Sequence, residues 1–207
     1  DIPKGAFTKG QELVLKTIAI IVSLIAWIWA FVLLAKSDVH PAYFVAGHVM
    51  AGLACICTSL IALVATIARQ IRNVYTDRER KRWPKLVLLM GTVSLLWGLS
   101  VIFADSSTTN GVIGYIMIGL GLVCYSISSK VILLAKIWGR EFALANRIPL
   151  IPVLTALACL FLASFVFELG TTHDDYFIPA RVLAGLGAIC FTLFSIVSIL
   201  ESGTSSK

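Results

Sequence analysis

Six long apolar runs dominate this sequence and leave only short segments between them. They lie near residues 13–36, 43–68, 85–104, 112–137, 148–168 and 177–200. A transmembrane helix needs roughly 20 apolar residues, and each run reaches that length. Because only helices and closed barrels satisfy their backbone hydrogen bonds in lipid, these runs predict an all-α membrane protein with six transmembrane helices.

The composition agrees with this fold and excludes several other classes. Hydrophobic residues make up 58% of the chain and charged residues 14%, whereas a soluble domain carries about 25% charged residues. A soluble enzyme, a disordered tail and a disulfide-stapled secreted module are therefore excluded. The net charge of +6 reflects loop bias, and no nucleic-acid partner is expected. We treat residues 1–207 as a single membrane domain.

Positive charge is concentrated in two of the loops. The stretch 69–85 carries seven Lys and Arg residues and 136–147 carries three, while the other loops are acidic or neutral. Since positive loops stay in the cytoplasm, both termini are predicted to be cytoplasmic. Within the first basic stretch, Thr76 and Glu79 have the spacing of a capping box, which predicts a short helix before Pro84.

The second, fourth and sixth runs can be overlaid without a gap. Their Gly-Leu pairs begin at Gly52, Gly119 and Gly185, which are 67 and then 66 residues apart. A steady period of one helical hairpin indicates an internal repeat. A two-span unit returns the chain to the same side of the membrane, so the sequence predicts three parallel hairpin repeats, near 13–72, 83–139 and 148–201.

Small and polar residues form one stripe on each of these three helices, because steps of four and three residues share a helix face. Two interpretations remain open. Small residues let helices pack closely, and a polar stripe can also line a central path for water or solute. The residues of this possible lining are Gly52, Ser59, Gly119, Ser126, Gly185, Thr192 and Ser195.

One position of the repeat holds polar side chains near the periplasmic ends of the runs. Such groups usually face a bundle interior or a wet cavity. We predict a periplasmic vestibule formed by His48, Tyr115, Arg181, Asp38, Asp105 and Glu168. Histidine changes charge between about pH 5 and 8, so acid is expected to act on this face. In the alternative, a backbone carbonyl holds His48, and Arg181 reaches the interface or pairs with an acid.

Lys130 is the deepest charge within the runs. Its ammonium either reaches the cytoplasmic headgroups or makes a polar contact near Ser126 and Ser129. Ser126 and Lys130 are spaced as a serine–lysine dyad, but spacing alone is a weak signal. No HExxH or GxSxG motif is present, and the five cysteines lack zinc-binding spacing. We therefore expect no enzymatic activity, no cofactor and no metal site.

Several strings resemble the YhiM family of enterobacterial inner-membrane proteins. They are YFVAGHV from Tyr43, LANRIP from Leu144 and the closing run from Tyr176 to Glu201. They recur in the same order and spacing, so the resemblance covers essentially the whole chain. It implies an inner-membrane location and an association with survival in acid. Members of the family are longer and carry further hairpins, which implies that this chain is the C-terminal three of about five repeats.

These observations favour a pore or transporter-like protein for a proton, an ion or a small solute, with a role in acid stress. The alternative is a non-transporting membrane sensor or scaffold. A continuous polar cavity along the stripes would favour transport, and dry, tightly packed stripes would favour the alternative. The expected partners are membrane lipids and either the missing N-terminal hairpins or another copy of the chain.

Overall fold

The computed structural model describes residues 8–139 and 147–205, with side chains described to residue 199. Within these ranges the chain forms six α-helices and one 3-10 turn, Asp174–Tyr176. All six helices are long and apolar enough to span a membrane, which confirms the predicted all-α fold with six transmembrane helices. The helices are α1 (Lys9–Ala35), α2 (Pro41–Ile71), α3 (Asp77–Ala104), α4 (Thr108–Trp138), α5 (Leu150–Leu169) and α6 (Phe177–Ser205).

The start of α3 confirms one sequence prediction and corrects another. The capping box forms, since the Thr76 backbone N–H donates to Glu79 Oε2 at 3.0 Å and Thr76 Oγ1 accepts from the Glu79 backbone. However, no separate short helix precedes Pro84 in this part of the described chain, because α3 runs through the proline to Ala104. Pro84 lacks an N–H for the preceding turn and its ring crowds the carbonyl one turn earlier, yet the helix that begins at the capping box continues through it.

Neighbouring helices in the sequence pack in pairs, α1 on α2, α3 on α4 and α5 on α6. Helix α4 is the centre of the bundle, because it also contacts α2, α5 and α6. Within the described ranges α2 and α6 lie on different sides of α4 and do not contact each other. The bundle therefore has an open row, α2–α4–α6, and the equivalence of its three hairpins as repeats stays a prediction.

A seam of glycines brings α3 and α4 together. A Cβ added at Gly98 would lie 2.7 Å from the carbonyl oxygen of Gly114, and a Cβ added at Gly121 would lie 2.9 Å from the carbonyl oxygen of Gly91. Between the two pairs, Ser94 Oγ donates to the Met117 carbonyl at 2.8 Å. Such short contacts require residues without a side chain on both helices, and small residues are common where membrane helices pack closely.

Candidate functional site

The small and polar stripe is buried in two helices and exposed in the third. On α2 and α4 the members assigned to the lining are buried, and on α6 they are exposed. The buried members are Gly52, Ser59, Gly119 and Ser126, and the exposed members are Gly185, Thr192 and Ser195. The structure thus gives the same sequence pattern two different environments.

The glycines on α2 and α4 receive leucines from the next helix of the row. A Cβ added at Gly52 would lie 2.4 Å from Leu120 Cδ1. One added at Gly119 would lie 2.6 Å from Leu183 Cδ2 and 2.8 Å from Leu186 Cδ1. Leu120 and Leu186 occupy the same position of the predicted repeat. A Cβ added at Gly185 would meet no atom of the described residues within 4 Å. A glycine of one helix thus contacts a leucine of the next helix twice along the row. The third glycine, Gly185, has no such leucine among the described residues.

Two hydroxyl groups of the stripe are bonded within their own helices, whereas the buried Ser126 Oγ of α4 has no hydrogen-bond partner among the described residues. Ser59 Oγ donates to the Cys55 carbonyl at 2.9 Å, and Thr192 Oγ1 donates to the Ala188 carbonyl at 3.1 Å. A hydroxyl satisfied in this way needs neither water nor a partner helix. On α2 and α4 the stripe is a packed surface because its members are buried.

His48 is buried at the beginning of the stripe on α2. Its Nδ1 donates to the Phe44 carbonyl at 2.7 Å. Its ring lies edge-on to Phe44, with centroids 4.5 Å apart, and to Trp97 of α3 at 5.9 Å. This geometry resembles the alternative in which a backbone carbonyl holds the histidine.

Tyr115 and Arg181, the matching residues of α4 and α6, have aromatic neighbours. The Tyr115 ring lies 6.1 Å from that of Phe165. The Arg181 guanidinium carbon lies 3.3 Å from the Phe177 ring centroid, and Nη1 donates to the Phe177 carbonyl. Stacking on a ring face stabilises a cation. Arg181 makes no ion pair with any carboxylate in the part of the chain that the structure describes.

The acids of the predicted vestibule, Asp38, Asp105 and Glu168, are exposed beyond the ends of their helices or in the last turn. Short connections place them at the same end of the bundle as His48 and Arg181. Across residues 8–139 and 147–199, no hydrogen bond, ion pair or ring contact joins any two of the six vestibule residues. The vestibule stays a prediction.

Lys130 is buried on the central helix α4, one residue after the buried Ser129. Within the described ranges it makes no hydrogen bond or ion pair. Part of the predicted basic loop that follows α4, including Arg140, lies outside the described residues.

A cluster of charges at the opposite end of the bundle was missed by the sequence analysis. Glu12 of α1 is buried and contacts Lys16 and Arg72, and its Oε1 lies 3.8 Å from Arg69 Nη1. Arg69 in turn forms an ion pair with Glu79, with Nε 2.8 Å from Oε1. We call these five residues the arginine cluster, and it ties together the ends of α1, α2 and α3. A signal was present, because hairpin topology places the start of the first run on the same side as Arg69 and Arg72.

Beside the arginine cluster, the loop between α2 and α3 is anchored by Tyr75. This side chain is buried, and its ring lies edge-on to Trp138 at the end of α4, with centroids 5.6 Å apart. Burial raises the pKa of the Tyr75 hydroxyl, so it stays protonated and neutral.

Comparison with known proteins identifies the family. Over residues 1–205 the chain matches the family described as "Protein of unknown function (DUF2776)". It is 50% identical over 190 residues to Inner membrane protein YhiM of Escherichia coli (strain K12). That alignment covers 92% of this chain and 54% of YhiM, so the chain spans about half the length of this curated relative. No solved structure matches the chain. The resemblance to YhiM is thus confirmed, and this integral membrane protein belongs to the DUF2776 family.

Proposed function

We propose that the chain acts as a non-transporting scaffold of the bacterial inner membrane, which assembles through the exposed face of α6. Similarity to an inner membrane protein supports the location. The positive-inside rule supports cytoplasmic termini. The packed stripes on α2 and α4 favour a scaffold over a pore, since their assigned lining residues are buried and leave no room for a solute.

The observation that carries this proposal is the repeated glycine–leucine contact. It joins Gly52 to Leu120 and Gly119 to Leu186, and it leaves Gly185 without a leucine from the described chain. At the other end of the row, Leu53 of α2 is 40% exposed, whereas Leu120 is 3% exposed and Leu186 is 9% exposed. One end of the row therefore has an exposed leucine, Leu53, and the other end has a glycine, Gly185, that lacks one.

A second copy of the chain can place its Leu53 on Gly185 in the way that Leu186 sits on Gly119. This contact is head-to-tail, so it closes into a ring or extends the row, depending on the rotation between copies. In the longer relatives, further hairpins of the same repeat would take the place of the second copy. Either occupant buries an apolar edge that otherwise faces lipid.

Disulfide crosslinking in membranes tests the head-to-tail contact. We expect a Leu53→Cys/Gly185→Cys variant to form a ladder of linked multimers on oxidation, because each copy carries both halves of the contact. The single variants Leu53→Cys and Gly185→Cys should stay monomeric beyond the background of the native cysteines. The readout is non-reducing electrophoresis.

The chain offers a matched control for this experiment. A Gly52→Cys/Leu120→Cys variant places the pair at the contact observed within one copy, so it should crosslink without a change in mass. A dimer formed by Gly185→Cys alone would indicate a symmetric contact and would contradict the proposal. So would the absence of a ladder when the control pair is fully oxidised.

Transport remains a second candidate because one polar stripe is exposed. Thr192 and Ser195 lie on the outer face of α6, within a helix long enough to span a membrane. Polar groups at that depth usually face protein or a wet cavity. A path for a proton, an ion or a small solute would then run between α6 and whatever covers it, and the role in acid stress would follow from this path.

Flux measurements on the purified chain in liposomes separate the two candidates. A scaffold is expected to give proton and potassium fluxes equal to those of empty liposomes at about pH 5 and pH 7. A flux that is lost in Thr192→Leu but kept in Ser59→Ala would instead favour a path along α6. The Ser59 variant is the control, because this hydroxyl is buried between α2 and its neighbours.

A further inference from the structure

A cavity of about 350 Å³ opens between the first turns of α3 and the last turns of α4. Four cationic side chains line it, Arg80, Lys81 and Lys85 from α3 and Lys136 from α4. Two cations of this set, Lys81 and Lys85, are one helical turn apart, a spacing at which like charges repel. The cavity thus concentrates positive charge where the helices leave the membrane.

Two of the four cations, Lys81 and Lys85, have no carboxylate partner within the described residues. Arg80 Nε lies 3.3 Å from Asp77 Oδ1, but the Asp77 side chain is 86% exposed. Lys81 and Lys85 are exposed and make no ion pair with any residue between 8 and 139 or between 147 and 199. A site of this kind attracts an anion with several oxygen acceptors.

The remaining walls of the cavity are apolar. Pro84 and Ile132 line it beside the cations. One turn beyond Pro84, Leu88 is exposed and extends the apolar surface toward the centre of the membrane. A free anion would use only the cationic rim, whereas a lipid would also use this apolar surface.

We infer that the cavity binds an anionic phospholipid, with its phosphate at Lys81 and Lys85 and an acyl chain along Leu88. Basic pockets between transmembrane helices are known to hold anionic headgroups. The inference concerns the opposite end of the bundle from the vestibule and does not depend on the scaffold or the transport proposal. A phospholipid headgroup and inorganic phosphate present the same phosphate oxygens to the lysines, so the test includes both ligands.

Lipid binding to the purified full chain in detergent, followed by native mass spectrometry, tests the site. We expect phosphatidylglycerol to bind and phosphatidylcholine to bind more weakly. The Lys81→Gln/Lys85→Gln variant should bind phosphatidylglycerol about tenfold more weakly, as expected for lost hydrogen bonds to a charged group. Millimolar inorganic phosphate should not displace the lipid.

The matched control is Arg78→Gln/Arg82→Gln. It removes two cations at the same spacing from the same helix, and neither residue lines the cavity. An equal loss of phosphatidylglycerol binding in both variants would show that only general surface charge matters, and it would contradict the proposed site. Full displacement by inorganic phosphate would overturn the lipid as ligand. Should the lysine variant misfold, Lys81→Arg/Lys85→Arg keeps both charges, and failure of this variant to bind would also contradict the inference.

Discussion

Replacing Glu12 with glutamine is expected to lower the free energy of unfolding by about 3 kcal/mol, the lower end of the range for breaking a buried ion pair. Glu12 is buried among Lys16, Arg69 and Arg72. Without its carboxylate, three cations remain close together at the junction of α1 and α2. The lower end of the range applies because the side chains of these cations are 19–27% exposed. Denaturation of the purified chain in mixed micelles measures the change.

Two further variants make this result interpretable. Asp77→Asn removes the carboxylate that pairs with Arg80, and its effect should be below about 1 kcal/mol because the pair is on the surface. Adding Arg72→Gln to Glu12→Gln should restore part of the lost stability, since it removes one of the uncompensated cations. Equal effects of Glu12→Gln and Asp77→Asn would show that the arginine cluster contributes no more than a surface pair.

Alanine at Gly114 is expected to lower the free energy of unfolding by about 2 kcal/mol through overpacking. The new Cβ would lie 2.2 Å from Ile102 Cγ1 and 2.7 Å from the carbonyl oxygen of Gly98. The side chain of Ile102 has other rotamers, but a backbone carbonyl moves only if the two helices separate. Because Gly91 and Gly121 continue the same seam, that separation would cost contacts over two helical turns.

The control for this substitution is Gly185→Ala. Its new Cβ would meet nothing within 4 Å in the described part of the chain. Alanine favours helix at both positions by about 1 kcal/mol, so the difference between the two variants isolates the clash. Thermal unfolding in the same detergent compares them. Equal stabilities would contradict the close approach of α3 and α4.

The apolar runs of the sequence predicted the six helices well, because the thickness of the membrane sets the length of a transmembrane helix. They were less successful where a contact is made by distant residues. The stripe of α6 has the same pattern as that of α2, yet Gly52 is buried and Gly185 is exposed. The difference comes from position in the row, since α6 has no following helix in the described chain. A periodic pattern specifies which residues share a face, but it does not specify what covers that face.

The two errors near the ends of helices have separate causes. Pro84 suggested a helix boundary, but the capping box at Thr76 starts α3 seven residues earlier and the helix continues through the proline. Glu12 was missed because its partners Arg69 and Arg72 lie far away in the sequence. The sequence alone indicates only that Glu12 and these arginines lie on the same side of the membrane.

The local hydrogen bonds of the stripe bear on how the protein is made. A ribosome delivers the chain from the N-terminus, so α2 enters the lipid before α4 has been synthesised. During that interval the face of α2 that α4 will cover is in contact with acyl chains. Ser59 and Thr58 already donate to carbonyls of their own helix, so no hydroxyl of this pair is left without an acceptor in hydrocarbon. The first hairpin can therefore remain in the bilayer until α4 is inserted, in keeping with assembly in the order of translation.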